Sequence, residues 1–125
     1  MKLNEFGKYL RKYRIDHDLT AKAMAETLHI SPAWLSGMET GSKPIPSDMA
    51  ERIARAYNFD EIQTHKLQLA ADNSRWIVRI KVPNDPLSRQ LVGLFARNLH
   101  LLTVEQKLAI LEILEKKENS PTLVR

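Results

Sequence analysis

The sequence contains no cysteine, which rules out disulfides and thiolate metal sites. Glycine is scarce, with 4 in 125 residues, and no phosphate-cradling glycine loop can be built from them. No apolar run is long enough to cross a bilayer, and the residues after Met1, Lys2-Leu3-Asn4-Glu5-Phe6-Gly7, lack the apolar stretch of a signal peptide. The expected location is the cytoplasm, without membrane contact. His17, His29, His65 and His100 fall on different elements and form no ligand pair, so no metal is expected and no cofactor is implied. A nucleophile elbow and a carboxylate pair in an apolar run are also missing. An enzyme is therefore not expected.

What remains is an ordinary globular composition, 43% hydrophobic and 27% charged, with room for one compact domain and an appendage. The formal net charge of +4 suits a polyanionic partner without requiring one. Lys8, Arg11, Lys12 and Arg14 cluster early, and Lys22 and Lys43 flank the central stretch, while Asp48, Glu51, Asp60 and Glu61 balance them.

That central stretch, Leu19 to Pro46, reads as two short helices joined by a tight turn. Thr20 is placed to cap a helix from Ala21 to Leu28, with Met24, Ala25 and Leu28 on one face. Ser31 caps a second helix with Pro32 at its first position, where a missing N–H costs nothing. Leu35 and Met38 would face a core, and Ala33, Trp34, Ser36 and Gly37 would face outward, before Gly41 and Pro44 end the helix. Helices this short must lean on a larger bundle. The pattern is that of a helix-turn-helix.

The bundle is supplied on both sides. Leu3, Phe6, Leu10 and Tyr13 predict a first helix from Asn4 to His17. After Pro46, Ser47 or Asp48 would cap a fourth helix with Met49, Ile53, Ala56 and Tyr57 inward, and Asp60 a fifth through Ala71 with Ile62, Leu69 and Ala70 inward. Asp72-Asn73-Ser74 is a polar break. The expected organisation is therefore mainly α, with a five-helix domain over residues 1–73 and a second region over residues 74–125.

In that second region, Trp76, Val78, Ile80 and Val82 alternate with Ile77, Arg79 and Lys81, and the prevalence of β-branched residues predicts one short strand over residues 75–82. Asp85-Pro86 opens a helix over 86–101, and Thr103 with Gln106 has the capping-box form that opens another over 104–117. A lone strand lacks a partner, and the apolar face of the hairpin is broader than one neighbour covers. Both point to a homodimer, with Trp76, Val78, Ile80, Leu91, Leu94, Phe95, Ile110, Ile113 and Leu114 at its interface; the alternatives are an extended segment lying on the five-helix domain and a hairpin packed back onto that domain.

The residues Ala25, Leu28, Ile30-Ser31, Trp34-Leu35-Ser36, Met38-Glu39, Gly41 and Pro46 together make the chain resemble the phage-repressor and Cro-like helix-turn-helix proteins, the XRE family. The resemblance covers roughly Leu3 to Ala70 and implies a lambda-repressor-like domain that binds double-stranded DNA. Two positions depart from it. His29 stands where the turn usually has glycine, and Pro32, Ala33 and Gly37 offer no long polar side chains to the bases. By resemblance, Arg14 and Glu39 form a structural ion pair, and Thr40, Ser42, Lys43 and Ser47 touch the DNA backbone. The start of the Ala21 helix, with Thr20 and Lys22, suits a phosphate. Ser31 caps the recognition helix, Pro32 and Ala33 suit a thymine methyl, Ser36 a base edge, and Gly37 a close approach. Trp34 fits either the DNA backbone or the edge of the core. The resemblance implies a dimeric transcription regulator, most often a repressor of its own operon, meeting an inverted repeat. An antitoxin, whose second region binds a toxin, is the alternative.

Overall fold

The computed structural model describes residues 2–119; the polar end beyond them lies outside the described residues. The chain divides into two compact units, Met1–Val78 and Arg79–Arg125.

The first unit is built from five helices whose ends are set by short-range capping. In α1, Glu5–Asp16, the Asn4 side chain accepts from the Gly7 amide. In α2, Ala21–Leu28, Thr20 accepts from the Ala23 amide, and in α3, Pro32–Thr40, Ser31 accepts from the Trp34 amide. Helix α4 spans Met49–Ala56, and α5, Glu61–Asp72, opens on a reciprocal capping box between Asp60 and Gln63. Helix α1 packs against α3 and α5, while α4 packs against α5 and α2. Phe6, Leu10, Met24, Leu35, Met38, Met49, Ile53 and Leu67 are fully enclosed between them. Each such side chain contributes roughly 1.5–3 kcal/mol of burial.

Two inner faces differ from the sequence expectation. On α4, Ala50 and Ala54 are buried beside Met49 and Ile53, whereas Ala56 is exposed; Asp48 stands at the N-cap position but its side chain makes no cap bond. On α5, Leu67 and Ala71 point inward, while Ile62 and Leu69 are exposed. Leu69 lies two positions from Leu67, about 200° around the helix. The small Ala71 takes the inner place, and the size of Leu69 was a misleading cue.

The expected strand over residues 75–82 does not form; there is no strand among the described residues. A strand needs a ladder, and the described chain offers no second one. Arg75 instead turns back toward the loop after α3, its Nε donating to the Ile45 carbonyl at 3.0 Å.

The second unit contains α6, Pro86–Asn98, a 3₁₀ turn at Leu99–Leu101, and α7, Val104–Asn119. Asp85 caps α6, accepting from the Ser88 amide and hydroxyl, each at 2.8 Å. Thr103 and Gln106 form the reciprocal box that opens α7. None of its described residues is buried. Leu87, Leu91, Leu94 and Phe95 on α6, and Val104, Leu108, Leu111, Ile113 and Leu114 on α7, stand open to solvent. No helix among the described residues is long and apolar enough to cross a membrane.

Candidate nucleic-acid interface

The turn between α2 and α3 depends on one residue in the left-handed region. His29 has φ 59° and ψ 41°, a conformation that histidine visits more readily than most side chains. It lets the amides of His29 and Ile30 reach the Glu26 and Ala25 carbonyls at 3.1 and 3.0 Å. From α4, Arg52 donates to the Leu28 carbonyl at 2.8 Å and so closes the end of α2.

Helix α3 is then held at its far end by α1. The Arg14 guanidinium meets the Glu39 carboxylate through both nitrogens, Nη1 to Oε2 at 2.6 Å and Nη2 to Oε1 at 3.1 Å, with both residues buried. Arg14 Nη1 also lies 3.5 Å from the Met24 sulfur on α2. Asn4 adds a second tie: its side-chain amide donates to the Met38 carbonyl and its backbone amide to the Glu39 carbonyl, each at 2.9 Å. These bonds satisfy carbonyls that the end of a helix leaves open. They also fix the angle at which α3 leaves the body.

The held helix leaves Pro32, Ala33 and Ser36 exposed, with Thr40 half-buried one turn further on. The Thr40 hydroxyl bonds back to the Ser36 carbonyl at 3.0 Å. Trp34 is half-buried and packs against the core, with the Lys43 ammonium 6.0 Å from its ring centre. At the flanks, Thr20, Ala21, Lys22, Ser31, Ser42, Lys43 and Ser47 are exposed. This surface can offer hydroxyls, ammonium groups and a short apolar ridge.

Gly37 corrects the expectation of an outward, DNA-facing glycine: it is buried. A Cβ built there would collide with Cγ of Lys43 and stand 2.9 Å from its Cβ. The Gly37 carbonyl also accepts from the amides of Gly41 and Lys43, at 2.9 and 3.1 Å. Glycine leaves room here for the following loop, which folds over the helix; a larger residue would push Lys43 aside.

A helix-turn-helix domain family matches residues 5–67, half of the chain. The chain belongs to this helix-turn-helix family, which falls within the phage-repressor-like group. No curated protein and no solved structure matches the chain. The family match spans α1 to most of α5, so the helix-turn-helix comes with the bundle that carries it. DNA binding is the function this domain implies.

Of the residues expected to act, Arg14 and Glu39 are brought together, while Trp76, Val78, Ile80, Leu91, Leu94, Phe95, Ile113 and Leu114 are exposed and Ile110 is half-buried. Trp76 and Val78 fall within the first unit. Asn4 and Arg52 were missed as supports of the helix-turn-helix. Their acceptors are backbone carbonyls distant in sequence, and a carbonyl is present at every residue and marks none.

Proposed function

We propose that the protein is a sequence-specific double-stranded DNA-binding transcription regulator that works as a homodimer. The observation that carries this reading is the exposed ridge of α3, Pro32, Ala33 and Ser36, on a helix anchored at Glu39 and flanked by Lys22 and Lys43. In this reading α3 enters the major groove. Thr20, Lys22, Ser42, Lys43 and Ser47 hold phosphates, which sets register and supplies affinity without reading sequence. Specificity then leans on methyl contacts from Pro32 and Ala33, one hydroxyl from Ser36, and the shape of the duplex.

The uncovered apolar side chains of α6 and α7 support pairing with a second copy. Two recognition helices related by a two-fold axis would meet an inverted repeat with half-sites about 34 Å apart or a multiple of it. A dimer seated on adjacent groove faces excludes other proteins from that DNA, so the sense we propose is repression, acting on its own operon.

The deciding experiment is a salt titration of binding to the DNA upstream of the gene, against scrambled DNA of equal length, with the oligomeric state read by sedimentation. A preference for the upstream duplex that weakens steeply with salt supports the reading. Equal affinity for both duplexes, or a monomer at working concentration, removes it. The same apolar faces fit an antitoxin, and co-purification of a stoichiometric unrelated small protein on α6 and α7 would replace the homodimer.

A further inference from the structure

The loop between α3 and α4 contains Lys43-Pro44-Ile45-Pro46. Two prolines remove two amides, and each presses the residue before it toward an extended backbone. The loop therefore has few donors of its own. Its position has to be imposed from outside, and two groups impose it. At one end the Gly37 carbonyl holds the Lys43 amide at 3.1 Å. At the other, Arg75 reaches across from the end of α5: Nε donates to the Ile45 carbonyl at 3.0 Å and Nη2 to the Pro46 carbonyl at 2.9 Å. Its remaining terminal nitrogen, Nη1, meets Asp72 Oδ1 at 2.8 Å, which ties the fork back to α5. The Arg75 side chain is only 10% exposed.

We propose that Arg75 is a positioning residue for DNA binding, one that sets the loop bearing Ser42 and Lys43 against the phosphate backbone. The proposal rests on the reading of the helix-turn-helix as the DNA-contacting element. Arg75 is not the phosphate ligand in this reading, because each of its three nitrogens already bonds a carbonyl or a carboxylate and its side chain is only 10% exposed. The exposed loop residues Ser42 and Lys43 carry the contact. Arg75 decides where they stand relative to the α3 ridge. Residues 41–45 and 74–77 line one depression of about 230 Å³, so the chain leaving α5 runs along the loop it steadies. Lysine cannot replace arginine here: a single ammonium offers three donors at one point and cannot span both carbonyls and Asp72.

The test uses the full chain and a fluorescein-labelled pool of random-sequence duplexes about three helical turns long. Each lost phosphate contact lowers the slope of log affinity against log salt by about 0.9. Arg75→Lys keeps the charge and breaks the fork, so it should lower the slope by about 0.9 per bound protomer, as Lys43→Ala does. Combining the two should lower it no further. A wild-type slope in Arg75→Lys, or a doubled loss in the combined variant, overturns the proposal. A merely structural role would reduce the bound fraction and leave the slope alone.

A second readout needs no DNA. Amide exchange at Lys43 should accelerate in Arg75→Lys, and by a smaller factor in the milder Asp72→Asn, while the Leu10 and Ile53 amides keep their protection. Unchanged exchange at Lys43 in both variants also overturns it. If the unaltered chain shows no salt-dependent binding at all, the DNA reading itself fails and this proposal with it.

Discussion

Gly7 on α1 lies directly against Glu39 on α3. A Cβ on Gly7 would collide with the Glu39 carbonyl oxygen and stand 2.8 Å from the Glu39 Cβ. The two helices cross at this glycine, and the crossing delivers Glu39 to Arg14. Gly7→Ala should cost about 1–3 kcal/mol through overpacking, even though alanine is the better helix former. Thermal unfolding followed by circular dichroism should show a melting point several degrees lower; an unchanged melting point would mean the helices can separate freely.

Arg14→Ala should destabilise the first unit by about 3–5 kcal/mol, because it strands a buried carboxylate without its partner. The double replacement Arg14→Met with Glu39→Leu should recover most of that loss. Denaturant midpoints for Arg14→Met, Glu39→Leu and their combination give the coupling directly. Parent-like stability in both single variants would show that the buried pair contributes little to the fold.

Gly37→Ala should separate binding from stability. The helix gains up to about 1 kcal/mol of propensity, but the new methyl pushes the stem of Lys43 away. We expect a melting point within a few degrees of the parent and a clear loss of affinity for duplex DNA, read by fluorescence anisotropy. Undiminished affinity would show that the loop relaxes without consequence.

His29→Gly should stabilise the protein. Holding a side chain at φ 59° costs about 1–2 kcal/mol; glycine removes that cost, but its greater freedom in the unfolded chain offsets part of the gain. The expected net gain is about 0.5–1 kcal/mol, seen as a higher melting point. A lower one would reveal a contact made by the imidazole ring.

Asp85 should make the start of α6 sensitive to acid. The Ser88 amide and hydroxyl bonds hold its carboxyl below the ordinary value of 3.8. A lowered value in the folded chain means the stabilisation is present above the ordinary value and is lost as pH falls through the lowered one. Exchange at the Ser88 amide should therefore speed up, relative to neighbouring amides, as pH drops from about 5 to about 2. In Asp85→Asn, which caps without titrating, that relative change should vanish.

What could be read from the residues was local. Thr20, Ser31, Asp60, Asp85 and Thr103 each announce a helix start because the cap and the amide that donates to it lie within three residues. The first four helices and the inward set Phe6, Leu10, Met24 and Leu35 followed from spacing, and the Arg14 and Glu39 pair from family likeness. The failures were non-local. The rotation of α5 depended on what α1 and α4 left open, so Ala71 beat Leu69. The outward Gly37 was inferred from its helical phase, which says nothing of a loop folding back over it. Asn4, Arg52 and Arg75 act on carbonyls between 24 and 35 positions away, by way of Met38, Glu39, Leu28 and Ile45, and no residue type marks such an acceptor.

Helices α6 and α7 keep their apolar side chains in water, and helices of 13 and 16 residues are marginal when left to themselves. In the homodimer we propose, a newly synthesised chain would carry a finished first unit and a second one whose order follows the concentration of copies. Its susceptibility to proteolysis would then fall as the concentration of copies rises.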